Sequence, residues 1–344
     1  MSKRLQSTTR LVTAAAIYAA FAAYLYQPYW RNFQRWEYLF LVNSPLAAVG
    51  CYVLSRRWVP SFAGSFFAGA IYGFGPFMLG LTRFHPTAGF LAATVPWLFC
   101  PAAFSPKQKW WWLSISLSLL PYLAIVLFFQ VSLYYRLFAV PAQAKLHLAD
   151  LVGLVAPLVA ARRGLMPMGF YHIPLAPLII GFSMLLARLR AGRIGIIIIL
   201  VTSVVLAFSH SFLNVSPVIW FTIAALFCSV FIGAGMQGLI SAGFADRKWV
   251  LAIAGICGAL AIVTLLLATK YFQTFLALGA GYAKVFADTG RIYTLGAITM
   301  LVVFLLVRAK LPAERRLPIR AVLLCLAMAA DIFLGARFIV DMLL

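Results

Sequence analysis

The chain has 344 residues, 64% of them hydrophobic and 10% charged, with a mean hydropathy of +0.99 and a formal charge of +21. No soluble fold of this length hides so much apolar side chain, whereas about 20 apolar residues per helix match a hydrocarbon slab about 30 Å thick, so composition excludes a water-soluble enzyme and points to an integral membrane protein. The 28 Lys and Arg stand in ones to threes between apolar stretches, which excludes a nucleic-acid partner; with seven acids in the chain, the anionic headgroups of membrane lipids are their expected counterions.

Windows of about 19 residues predict roughly eleven membrane-spanning helices. They fall at 11–27, 38–55, 61–81, 87–104, 110–130, 173–189, 192–213, 217–244, 249–272, 291–309 and 320–343. The expected fold class is all-α: a polytopic transmembrane helical bundle forming one integral membrane domain over 1–344, with no soluble domain attached.

At the N-terminus, Lys3, Arg4 and Arg10 precede the apolar run Leu11 to Tyr26, the form of a secretory signal, and Ala20-Phe21-Ala22 resembles a cleavage site. The run continues into Tyr24, Tyr26, Tyr29 and Trp30, an interfacial aromatic belt that favours an uncleaved first helix. Pro45, Pro76, Pro96, Pro121 and Pro217 lie inside or at the edges of the spans, where a missing N–H kinks a helix without vetoing it. Residues 148–161 are apolar but too short to cross unaided and are broken by Pro157, so they read as a re-entrant or interfacial part of the connection 131–172.

Alternate placement of the spans puts 17 of the 28 Lys and Arg on the side of the N-terminus and 11 on the other, with the denser, shorter connections on the N-terminal side. The positive-inside bias then makes the N-terminus cytoplasmic and the C-terminus extracytoplasmic, in a bacterial-type inner (plasma) membrane. Cys51, Cys100, Cys228, Cys257 and Cys325 sit in apolar stretches without CxxC spacing and read as inert buried thiols.

This topology places His85, His147, His172 and His210 at the outer side, together with Glu37, Asp150 and Asp288. Titratable groups other than Lys and Arg gathered at one face suggest that recognition or chemistry takes place there. His147 and Asp150, three residues apart, are candidates to share a helical face; spacing alone assigns no metal site and no cofactor. Asp331 lies about eleven residues into the last span, where a carboxylate faces the bundle interior or a water-filled cavity and serves either ion or proton relay or helix packing. Arg337, six residues on, sits on another face and is a poor partner for it. Gly233, Gly235 and Gly238 spell GxGxxG, but within an apolar span with no preceding strand; small residues there, like Gly64 and Gly69, let helices approach closely. Ser209-His210-Ser211 has no acid placed by sequence to orient its imidazole.

A combination of short motifs runs from 37 to 245: Tyr52-Val53-Leu54-Ser55-Arg56-Arg57 closing the second span, Ala68-Gly69-Ala70-Ile71-Tyr72-Gly73-Phe74-Gly75-Pro76-Phe77-Met78, His85-Pro86 and Val95-Pro96-Trp97. Leu148-Ala149-Asp150-Leu151 with Pro157 then precedes His172, and Val204-Val205-Leu206-Ala207-Phe208 precedes a proline-led span ending in Gly235-Met236-Gln237-Gly238-Leu239. The order of these features resembles the GT-C superfamily of multi-spanning membrane glycosyltransferases, which use lipid-linked sugars, and especially its bacterial lipoteichoic-acid and exopolysaccharide glycosylation branch. The resemblance implies a GT-C-like core at 37–245 followed by C-terminal helices at 246–344. It also implies a polyprenyl-phosphate sugar as partner, and an acidic residue or pair in the first outer loop acting as base and metal ligand. Here that loop, Pro28 to Trp36, has no acidic pair. The departure leaves Glu37 as a lone catalytic candidate and Arg31, Arg35 and Arg83 as phosphate-binding candidates. Two other classes stay open: a transporter or channel subunit using Asp331, and a non-catalytic structural subunit of a membrane complex.

Overall fold

Each apolar stretch expected to cross the membrane contains helix. The computed structural model describes residues 3–33, 37–84, 86–104, 111–135, 146–156, 158–159, 175–187, 191–275, 280–309 and 313–344. In chain order the helices are α1 (Lys3–Tyr26), α2 (Leu39–Ser55), α3 (Phe62–Phe74), α4 (Pro76–Phe84), α5 (Pro86–Phe104), α6 (Trp111–Ser118), α7 (Leu120–Tyr134), α8 (Val152–Val155) and α9 (Leu175–Ala187). They continue with α10 (Ala191–Phe208), α11 (Pro217–Ser241), α12 (Arg247–Leu267), α13 (Lys270–Phe275), α14 (Ala280–Arg308) and α15 (Ala313–Leu343). The described residues hold no strand beyond an isolated bridge between Phe212 and Val215, so the fold is an all-α bundle.

Seven helical stretches among the described residues are long and apolar enough to cross a membrane: Thr8–Arg31, Phe62–Arg83, Thr87–Phe104, Pro217–Ser241, Phe244–Leu267, Gly281–Arg308 and Leu317–Met342. Leu39–Ser55, Leu120–Tyr134 and Gly195–Phe208 are apolar but shorter.

The central post is α11. In its most apolar stretch 89% of the residues are buried, against 33% for α12 and 22% for α1, because α3, α9 and α10 all pack along it. Its glycines explain how they come so close. A Cβ on Gly64 of α3 would lie 2.7 Å from the carbonyl oxygen of Gly233, and one on Gly235 would run into the backbone of Pro177 on α9. A Cβ on Gly181 of α9 would likewise meet the Phe231 carbonyl. The GxGxxG run is therefore a helix-packing surface, as expected of small residues where backbones must touch. Gly69 gives the same access to Tyr18, whose hydroxyl donates to the Phe66 carbonyl (2.6 Å) and locks α1 onto α3.

Pro76 and Pro121 divide their spans instead of merely kinking them, while Pro217 leads its span as read from the sequence. Pro45 and Pro96 stay inside α2 and α5, but Pro76, Pro121 and Pro217 begin new helices. The stretch 61–81 is thus two helices, α3 and α4, separated at Gly75, whose φ of −71° and ψ of 159° are extended. Pro76 offers no N–H to the Tyr72 carbonyl and pushes its predecessor out of helical geometry, which suffices to break the helix there.

The last helices reach beyond their apolar cores. α14 starts eleven residues before the expected 291, and its added turns carry Asp288, which pairs with Arg291 (3.0 Å). Among the described residues of the connection 131–172, a 3-10 turn (Leu148–Leu151) and the single turn of α8 together hold eight residues. The Tyr293 hydroxyl of α14 donates to the Val155 carbonyl and holds this piece against the bundle.

The glycine contacts yield a paired prediction. Gly235→Ala overpacks α11 against α9 and lowers stability by about 1–3 kcal/mol, whereas Gly255→Ala on α12, where a Cβ meets nothing within 4 Å, is neutral or mildly stabilising. Thermal unfolding of both variants in detergent micelles checks the contrast.

Candidate functional site

The ends of α1, α4 and α15 meet the start of α2 at one end of the bundle. After α1 the chain tightens into a 3-10 turn (Gln27–Asn32) entered through Pro28, which carries Tyr29 beside the last turns of α15. There the Tyr29 hydroxyl donates to Asp341 Oδ1 (2.7 Å), while Arg337 Nε donates to Asp341 Oδ2 (2.9 Å). Arg337 is thus engaged within α15 at i, i+4, in keeping with its being no natural partner for Asp331.

On the neighbouring elements Arg83, at the end of α4, pairs with Glu37, just ahead of α2 (Nη1–Oε1 3.3 Å). The approach of α4 to α5 fixes Arg83 in place: a Cβ on Gly89 would lie 2.6 Å from Thr82 Oγ1, and Thr82 itself donates to the Met78 carbonyl. Beside Arg83 lies a shallow cleft lined by Tyr26, Phe40, Leu79, Arg83, Val340 and Leu344. Its walls are apolar or aromatic and the arginine supplies positive charge, a combination suited to an anionic group attached to an apolar chain.

The other sequence candidates lie elsewhere. Arg31 is exposed on the 3-10 turn, and His147 and His210 are exposed on a second patch, where the Leu146 N–H donates to the Ala207 carbonyl (3.3 Å). Asp150 belongs to the 3-10 turn Leu148–Leu151, but His147 precedes that turn, so the two do not share an α-helical face. Arg35, His85 and His172 lie outside the described residues. Among the described residues no three His, Cys, Asp or Glu come together as metal ligands.

Asp331 is buried, 1% exposed, on α15. Cys257 of α12 and Tyr293 of α14 are within electrostatic reach of its carboxyl, so it faces the bundle interior as expected. Arg320 corrects the sequence reading of a headgroup-facing anchor: it is 2% exposed and its Nη1 donates to the Ala242 carbonyl at the end of α11 (2.7 Å). The closing carbonyls of a helix lack intrahelical donors and carry partial negative charge, which a buried guanidinium satisfies.

Sequence reasoning missed Tyr26, Tyr29 and Asp341 as parts of the site. The spacing of Arg337 and Asp341 was a usable local signal; the meeting of residues 29 and 341 has none. No family model, curated protein or solved structure matches the chain.

The Arg83 and Glu37 side chains are 44% and 23% exposed, so water screens the pair and its worth to folding is at most about 1 kcal/mol. Glu37→Gln is therefore expected to unfold within about 1 kcal/mol of the parent in denaturant titrations, which makes that variant a clean probe of chemistry.

Proposed function

We propose that this is a GT-C-like protein of about eleven spans, in a bacterial-type inner membrane, that transfers or, as a degenerate member, handles lipid-linked sugars at its extracytoplasmic face. In this reading the N-terminus is cytoplasmic and the C-terminus extracytoplasmic. The observation that carries it is the Arg83–Glu37 ion pair beside a cleft with apolar walls. A guanidinium recognises a phosphate oxygen through charge-assisted hydrogen bonds, and the aromatic and aliphatic walls suit the first carbons of a prenyl chain.

The pair also suggests an order of events. Glu37 spends a lone pair on Arg83, and an arriving lipid phosphate competes for that guanidinium. Glu37 is then released to take the proton of an acceptor hydroxyl as its oxygen attacks the anomeric carbon. The bond from that carbon to the phosphate oxygen breaks, the oxygen keeps the electron pair, and Arg83 holds the departing polyprenyl phosphate.

A second reading rests on Asp331, buried against α12 and α14. A carboxyl in that position serves a proton or ion path, or fixes the packing of the last helices in a subunit of a larger membrane complex.

Incubation with polyprenyl-phosphate sugars is expected to show donor-dependent transfer. Loss of the base in Glu37→Gln should lower it by about 10²–10⁴-fold, and Arg83→Ala should weaken donor binding by about ten- to a hundredfold. Transfer at parental rate in Glu37→Gln removes Glu37 as the base. For the second reading, pH-dependent flux in proteoliposomes that disappears in Asp331→Asn marks a transporter. Unchanged flux with a lowered melting temperature marks a packing residue.

A further inference from the structure

At the end of α2 away from Glu37, Tyr52 is the last of four aromatic rings that join α1, α2 and α3. Tyr18 of α1 stacks on Phe66 of α3 with ring centroids 4.9 Å apart, and Phe66 stacks on Phe62 at 5.8 Å. Phe62 then meets the Tyr52 ring edge-on at 6.1 Å. Tyr18 and Tyr52 are buried, whereas Phe62 and Phe66 are half-buried, so the middle of the row is open on one side to the surroundings of the helices.

Two guanidiniums reach the Tyr52 end of this row. Arg56 follows Tyr52 by four residues, one helical turn, and its Nη1 donates to the Pro60 carbonyl, which orients it. Arg10 stands four residues before Ala14, on the stripe of Ala14, Tyr18 and Ala22 that α1 turns into the bundle. Both arginines are half-buried, and both lie within electrostatic reach of the Tyr52 hydroxyl. Tyr52 is 3% exposed, yet its hydroxyl has no hydrogen-bond partner among the described residues. The ion pairs among those residues are Arg83 with Glu37, Arg291 with Asp288 and Arg337 with Asp341; none of them neutralises Arg10 or Arg56.

Two cations and a buried hydroxyl, beside a half-open aromatic row, make a site with a charged end and an apolar flank. A phosphate diester fits the first, because guanidinium N–H and phenol O–H groups donate to its oxygens through charge-assisted hydrogen bonds. An acyl chain fits the second. A zwitterionic headgroup would bring an ammonium to two arginines, whereas an anionic one brings only charge that they attract. We infer that Arg10, Tyr52 and Arg56 bind the headgroup of an anionic phospholipid whose chain lies along Phe62 and Phe66. The site is at the far end of α2 from Glu37 and stands independently of the function proposed above.

The test titrates the full chain in mild detergent with phosphatidylglycerol, or with phosphatidylcholine of the same chain length, and counts bound lipid by native mass spectrometry. The parent is expected to prefer phosphatidylglycerol by about tenfold or more. Tyr52→Phe keeps the ring and removes the hydroxyl, and Arg10→Gln removes one cation. Each should weaken phosphatidylglycerol by about tenfold, as expected for loss of one hydrogen bond to a charged group. Lys270→Gln, which removes an exposed cation at the start of α13, should leave the affinity at the parental value. Equal affinity for the two lipids in the parent overturns the site, as does parental affinity in both Tyr52→Phe and Arg10→Gln. A loss matched by Lys270→Gln also overturns it, because diffuse charge attraction then accounts for binding. Displacement of the lipid by millimolar inorganic phosphate would mark a free-anion site and overturn the lipid assignment; retention of the lipid supports it.

Discussion

Helices surrounded by lipid gain nothing by hiding apolar side chains from it, so this bundle depends on backbone contact. Without the hydrophobic effect between spans, attraction comes from van der Waals packing, and that grows steeply as helix axes approach. The contacts of α11 with α3 and α9 meet that requirement directly. Gly64 faces the Gly233 carbonyl, Gly235 the backbone of Pro177 and Gly181 the Phe231 carbonyl, so two helices are fixed around one post through backbone contact. The more exposed helices are set against this centre by longer side chains, such as Phe99 against Phe227 and Tyr122 stacked on Trp220.

A rigid centre leaves the ends of the bundle free to differ. At the end where α11 stops and α15 starts, the buried Arg320 closes the helix terminus through the Ala242 carbonyl, and Gln237 accepts from the Ser61 N–H (3.4 Å). Side chains there finish hydrogen bonds the backbone leaves open. At the opposite end the polar contacts are between side chains, Arg83 with Glu37 and Tyr29 with Asp341, and each is partly exposed. Bonds of the first kind are expensive to break because a buried carbonyl would be stranded; bonds of the second exchange readily with water or an incoming anion.

The sequence showed much of this in local terms. Hydropathy located the helices because the solvent dictates their length, and the position of GxGxxG inside an apolar span identified packing glycines. Asp331 was correctly turned inward because a carboxyl has few other places to go. Two kinds of feature escaped. Pro76 was read as a kink, although Gly75 before it adds a second reason to leave the helix; two weak local preferences had to be combined. Arg320 was read as a headgroup anchor because arginines at span edges usually are, and its burial depends on where α11 ends, 78 residues earlier. The pairing of Tyr29 with Asp341 is of the same long-range kind. A single sequence carries periodicity along a helix but says little about which helix ends will meet.

The break at Gly75 ties the fold to the site. Had the span containing α3 and α4 been one straight helix, the face that packs Gly64 and Gly69 against neighbouring backbones would also dictate where Arg83 points. Separation at Gly75–Pro76 frees α4, nine residues long, to take its own orientation. Phe77 then packs on Phe221 of α11, with ring centroids 5.1 Å apart, and Gly89 admits Thr82 from the α5 side. Arg83 is carried by a short helix held at its base by an aromatic contact and at its tip by a small residue. The cleft thus has Arg83 on one wall and Val340 with Leu344 of α15 on another.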